Sequence, residues 1–101
     1  MQKVTDEAGL DAALGADKTI VLFHTTWCPF CRSFLPEFVR QTQAKPGVVE
    51  AVIDDEDNSL WEKYSIEIVP TVLFFEKGKV VRRLDGKPYV GLTAGDLAAA
   101  L

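Results

Sequence analysis

The chain of 101 residues has one histidine, one methionine and two cysteines. A closed structural zinc site takes four ligands. Cys28, Cys31 and His24 would therefore need a carboxylate to complete one, and no metal is expected. A secreted disulfide scaffold of this size carries four or more widely spaced cysteines, which this chain lacks. No apolar run reaches the ~18 residues that span a bilayer, so no membrane partner is expected. The opening Met1-Gln2-Lys3-Val4-Thr5-Asp6-Glu7 has no apolar signal-peptide core. A cytoplasmic chain, or a trimmed mature one, is expected. Positive charge is also scarce: 11 Lys and Arg against 15 Asp and Glu give a formal net charge of -4. That balance argues against a nucleic-acid partner, since duplex binders are usually basic. Repeats, linkers and low-complexity tracts are missing.

What is present is an ordinary globular composition, 48% hydrophobic with six Phe, two Trp and two Tyr. A chain of this length buries enough surface to fold without a staple, and residues 1–101 are expected to form one domain. Residues 4–5 read as a short first strand. Asp6 is placed to cap a helix running to Gly15, with Leu10, Ala13 and Leu14 as its apolar stripe. Residues 19–23 are apolar without a break, the pattern of a central strand covered on both faces. A helix is expected over residues 32–43, with Phe34, Leu35, Phe38 and Val39 on one face and Pro36 kinking it. Residues 48–53 read as a second core strand. Asp57-Asn58-Ser59 caps a short helix over residues 60–64. Residues 69–75 form a strand, and Lys77-Gly78 turns it into residues 80–84 as a hairpin. Thr93 caps a last helix over residues 94–101. Helical crossovers followed by a hairpin give an α/β mixed sheet with helices on both faces.

Cys28 and Cys31 lie where a core strand ends and a helix begins. Disulfide exchange needs a thiolate nucleophile. A helix start supplies unpaired N–H groups and partial positive charge, which favour a thiolate at Cys28. Pro29 presets the helical φ of the first turn and has no N–H to leave unpaired. Cys31 is one turn further in, within bridging distance and more buried. Cys28 is therefore expected to attack, and Cys31 to resolve the mixed disulfide.

Three features together resemble the thioredoxin superfamily over essentially the whole chain. They are Trp27-Cys28-Pro29-Phe30-Cys31 after an apolar strand, a helix with Pro36 past the second cysteine, and Ile68-Val69-Pro70-Thr71 before a strand. Lys77-Gly78 and Val90-Gly91 fit the same pattern. The resemblance implies the thioredoxin fold, a mixed four- or five-stranded sheet flanked by helices. It implies a protein-disulfide oxidoreductase with no bound cofactor, acting on protein disulfides and served by a reductase or thiol donor. A monomer is expected. The resemblance also implies a cis Pro70 facing the cysteines and a Val69 backbone that pairs with an extended substrate segment. Gly91 would let backbone approach closely, and Trp27, Pro29 and Phe30 would lie on the substrate side.

The chain departs from the usual family pattern at several positions. The middle pair is Pro29-Phe30 rather than Gly-Pro, a Pro-aromatic pair similar to glutaredoxins. Leu22 stands where a buried Asp is usual, Glu50 where its Lys partner is usual, and His24 where a Trp is usual. A glutathione-coupled thiol transferase is thus an alternative, as is a metal-handing Cys-x-x-Cys module. The first lacks the double glycine of glutaredoxins before the last helix. An interaction domain with a vestigial pair has nothing in its favour, because nucleophile, resolver and proline are all present.

The remaining candidates have simpler readings. His24 could tune Cys28 or sense pH, and the simpler reading is a strand-end histidine with one hydrogen bond. Asp54-Asp55-Glu56-Asp57 lacks the alternation and glycine of a calcium loop and reads as a solvated loop with a cap. Trp61 and Tyr64 read as core contacts. Arg32, beside Cys31, could add positive charge near the thiolate, and the simpler reading is an exposed helix residue.

Overall fold

A computed structural model describes residues 1–101. In chain order the elements are β1 (Gln2–Val4), α1 (Glu7–Ala13), β2 (Lys18–His24), α2 (Pro29–Thr42) and β3 (Val48–Val52). There follow α3 (Ser59–Lys63), β4 (Thr71–Glu76), β5 (Lys79–Leu84) and α4 (Ala94–Ala100). The five strands form one sheet in the order β1-β3-β2-β4-β5. β3 runs parallel to β1 and β2, whereas β4 is antiparallel to both β2 and β5.

Local chemistry sets most of the helix starts. The Asp6 carboxylate accepts from Gly9 N–H at 2.8 Å and caps α1. Asn58 caps α3. Thr93 and Asp96 form a reciprocal capping box on α4. α2 begins at Pro29, a turn earlier than the apolar stripe from Phe34 predicts, because proline at the first helical position already holds the required φ. The helix continues through Pro36.

Alternation along the strands divides the core in two. Val21 and Phe23 of β2, Val49 and Ala51 of β3, and Leu73 and Phe75 of β4 pack with Leu10, Leu14 and Leu60 on one face. The Tyr64 ring meets Phe23 and Phe75 on that face, at centroid distances of 5.7 and 5.6 Å. Leu22 and Val72 pack on the other face with Phe34 and Phe38 of α2 and Leu97 of α4. Central β2, covered on both faces, carries its own C-terminal end to the start of α2.

The expected strand over residues 69–75 starts at Thr71 instead. Pro70 has no N–H to offer a ladder, so Val69 and Pro70 remain outside the sheet as a loop. That loop forms one wall of the site below.

Candidate active site

The β2–α2 junction builds the site. Cys28 is the N-cap of α2, in extended conformation (φ -90, ψ 121), and its sulfur accepts the Cys31 N–H at 3.4 Å. A helix start has N–H groups with no intrahelical partner, and here one of them is aimed at a sulfur. Both cysteines are free thiols and largely buried, Cys31 at 1% exposure and Cys28 at 7%. Burial pushes the Cys31 thiol up to about 12, with Cys28 adding to the rise and hydrogen bonding from Thr25 opposing it. The two sulfurs thus occupy different settings, one at the helix mouth and one sealed behind it.

Residues between His24 and Cys28 are clamped from the loop after β3. The Asp54 carboxylate accepts from Thr26 N–H at 2.7 Å and from Thr26 Oγ1 at 2.6 Å. These bonds hold its carboxyl below the usual aspartate range. Trp27 Nε1 donates to Asp54 O at 3.2 Å while the indole is left 56% exposed beside Cys28. In the sequence this acidic run reads as a solvated loop; in the structure its first member fixes the approach to the cysteines. No signal near Asp54 reveals this, because its partners are 28 residues away.

The facing wall is the Val69–Pro70 loop, whose peptide bond is cis. The Cys28 thiol donates to Val69 O at 3.7 Å, bringing wall and cysteine together. Thr71 Oγ1 donates to Ile68 O at 2.6 Å and accepts Gly86 N–H at 3.1 Å. Gly86 is required there, since a Cβ would lie 2.5 Å from Pro70 O. Gly91 closes the third side at φ +71. A Cβ on Gly91 would lie 2.9 Å from Phe30 Cβ and 3.2 Å from Pro70 Cδ, so its bare backbone is in close contact with both. The roles of Thr71 and Gly86 are not apparent from the sequence. Around these walls Phe30, Pro29 and Val90 are exposed, as is Tyr89, the residue before Val90. An exposed apolar rim around a reactive pair suits contact with another chain.

His24 and Glu50 are beneath the junction. His24 Nε2 and Glu50 Oε2 are 2.8 Å apart and both side chains are largely buried. His24 thus makes the single hydrogen bond expected of a strand-end histidine. Leu22, opposite Glu50 in the parallel register, is sealed in apolar surroundings instead. Arg32 is an exposed helix residue. No three His, Cys, Asp or Glu side chains converge as a metal-binding group.

The site is thus a thiol pair at a helix mouth, facing a cis-proline loop at the end of the central strand. The thioredoxin family model matches residues 2–95. This chain belongs to the thioredoxin family. A thioredoxin of Mycoplasmoides gallisepticum is 33% identical over 88 residues, covering 85% of this chain and 88% of that protein. A thioredoxin H-type protein of Oryza sativa subsp. indica is 30% identical over 105 residues, covering 92% of this chain and 86% of that protein. Among solved structures, Plasmodium falciparum thioredoxin superposes with a TM-score of 0.81 at 24% identity, over 99% of this chain and 95% of that one. That last likeness bears on the fold, which is the five-stranded thioredoxin fold with flanking helices. Family membership makes the chain a thiol–disulfide oxidoreductase, and Cys28 and Cys31 fit the family's Cys-x-x-Cys motif.

Proposed function

We propose that the chain exchanges protein disulfides through a Cys-Pro-Phe-Cys active site, with Cys28 attacking and Cys31 resolving. The observation that carries the assignment is the asymmetry of the pair. Cys28 is at the helix mouth, takes an N–H from Cys31 and faces Val69 O, whereas Cys31 is sealed and its thiol is pushed up to about 12. An attacking thiolate forms where donors stabilise it and substrate can reach it. A resolving thiol needs only to reach the first sulfur.

In the first step the Cys28 thiolate attacks one substrate sulfur, the substrate S–S bond breaks, and the other substrate sulfur leaves with the electron pair. In the second, Cys31 loses its proton and attacks the Cys28 sulfur, releasing the remaining substrate thiol and leaving a Cys28–Cys31 disulfide. An extended substrate segment would pair with the Val69 backbone beside Pro70. Trp27, Pro29 and Phe30 would meet its side chains, and Gly91 would leave room for its backbone. A reductase or thiol donor then restores the dithiol. We further infer that residues 1–101 act as one domain, as a monomer in the cytoplasm. No helix is long and apolar enough to cross a membrane.

The test is disulfide reduction by single cysteine variants. Cys28→Ser is expected to abolish reduction, and Cys31→Ser to accumulate a covalent adduct between Cys28 and substrate, seen by mass analysis. An adduct on Cys31 in the Cys28→Ser protein, formed as fast, would reverse the roles.

A further inference from the structure

Between β5 and α4 the chain makes a tight turn. Lys87 O accepts Val90 N–H at 3.2 Å and Gly91 N–H at 2.8 Å, and Lys87 N–H donates to Gly91 O at 3.0 Å. Lys87 and Gly91 pair as an antiparallel bridge, with Pro88, Tyr89 and Val90 as the tip. The proline ring holds the φ of Pro88 at about -65. Tyr89 follows at φ +61. A negative and then a positive φ at the two middle positions is the turn that usually takes glycine or asparagine second. Any larger side chain brings its Cβ against the following carbonyl oxygen, so Tyr89 is strained where it stands.

Two other residues with a side chain have positive φ, Ser65 and Lys77. Ser65 lies just past the end of α3, and Lys77 turns β4 into β5. Tyr89 ends no helix and joins no paired strands. Its side chain is 92% exposed, so contact within the chain does not offset the strain. Strain held by a rigid surround is a feature of sites that bind, and here three backbone hydrogen bonds hold the turn.

The turn is continuous with the wall of the active site. Its last residue is Gly91, whose added Cβ would meet Phe30 and Pro70 at 2.9 and 3.2 Å. Tyr89 is two residues away, at most about 7 Å along the backbone. Val90 is exposed between them, and Trp27 and Phe30 are exposed at the start of α2. Tyr89 thus extends the apolar rim outward from the cysteines.

We propose that Tyr89 is a specificity-determining residue, which grips an aromatic or aliphatic side chain of a protein substrate a short way along from its reacting cysteine. The inference rests on the exchange of protein disulfides proposed above. The occupant is a polypeptide because the ring lies on the rim, beyond the walls that a small disulfide would fill. Its side chain is apolar because Tyr89, Val90, Phe30 and Trp27 offer ring faces and methyl groups and no carboxylate. Tyrosine supplies such contact area with few rotatable bonds to immobilise, and the rigid turn lowers the cost of ordering further.

Two synthetic peptides test this. Both close the same disulfide loop; one carries Leu and Phe outside its cysteines, the other Gly and Ser. Fully reduced protein is mixed with each, quenched in acid, and the rate of thiol loss is read by mass analysis for the parent, Tyr89→Asn and Tyr89→Phe. The quantity compared is the ratio of the two rates, in which any change in Cys28 itself cancels. The parent is expected to favour the apolar peptide, and Tyr89→Asn to lower that preference about fivefold, the size of a lost aromatic contact. Tyr89→Phe keeps the ring and should keep the preference. The urea midpoint of Tyr89→Asn should be at or above the parent's, because asparagine tolerates a positive φ. A merely structural tyrosine would give a lower midpoint with an unchanged ratio, and either result overturns the proposal. A parent without preference overturns it too, as does a Tyr89→Phe protein as indifferent as Tyr89→Asn. A parent oxidised by neither peptide refutes protein-disulfide exchange itself, a separate result.

Discussion

Replacing Gly91 by Ala should damage this protein in proportion to two geometric facts. Gly91 has φ +71, a region that raises the energy of an L-residue with a Cβ by roughly 1–2 kcal/mol. The added Cβ would also sit 2.9 Å from Phe30 Cβ and 3.2 Å from Pro70 Cδ. Neither neighbour is the loose end of a flexible side chain, so relief requires moving the first turn of α2 or the proline loop. Overpacking of that kind typically costs about 1–3 kcal/mol. Together the terms give a loss of about 2–5 kcal/mol, a large share of a small domain's ~5–15 kcal/mol. With a urea slope near 1.5 kcal/mol per molar, the unfolding midpoint should fall by about 1–3 M. Disulfide reduction should also fall under conditions where the variant is still folded, because the displaced groups wall the cysteines. Gly95→Ala is the control for the same chemical change. Gly95 is in α4, a Cβ there meets nothing nearer than Thr93 Oγ1 at 3.8 Å, and its φ is not positive. It should be neutral or stabilising by up to about 1 kcal/mol. If Gly91→Ala unfolds at the parent's midpoint, the close approach of Phe30, Pro70 and Gly91 is refuted.

Other consequences can be checked in the same way. Asp54→Asn should loosen residues 26–27, broadening or shifting Trp27 fluorescence. Asp54 is held below the usual aspartate range by Thr26. Its contribution to stability is therefore complete above the unfolded value of about 3.9 and is lost as pH falls through the lower folded value. Acid titrations of parent and Asp54→Asn should converge there. Cys31 has the opposite sign: its thiol is raised by burial to about 12, so the reduced protein should lose stability above the ordinary thiol range, about pH 8.5. That loss should be absent from Cys31→Ala, measured by denaturation at stepped pH. The Cys28–Cys31 couple is expected to have a reduction potential less negative than the thioredoxin value of about -270 mV, because Pro29 rigidifies the first turn around the Cys28 sulfur. A glutathione titration at or below that value contradicts this.

The parts of the molecule legible in sequence are those whose cause is local. Asp6 and Thr93 announce their helices because a cap and the N–H it binds are three residues apart. The unbroken apolar run in β2 shows that both its faces are covered. Cys28, Pro29 and Cys31 reveal a helix mouth, although the apolar stripe from Phe34 alone places the start of α2 one turn late, at Arg32 instead of Pro29. Val69 and Pro70 look like strand residues because they adjoin one. What was not legible depends on register and distance. His24 meets Glu50 because β2 and β3 run parallel, with Leu22 opposite Glu50, and composition does not reveal such a register. The same holds for Asp54 on Thr26 and for Gly86 against Pro70.

The central claim is that the two thiols divide the work, Cys28 attacking and Cys31 resolving. The most direct measurement is timed alkylation of the fully reduced protein with iodoacetamide near neutral pH, quenched and read peptide by peptide by mass analysis. The account predicts that Cys28 is labelled first and that Cys31, at 1% exposure with its thiol pushed up to about 12, is still unlabelled when Cys28 is complete. Labelling of Cys31 ahead of Cys28 would contradict it.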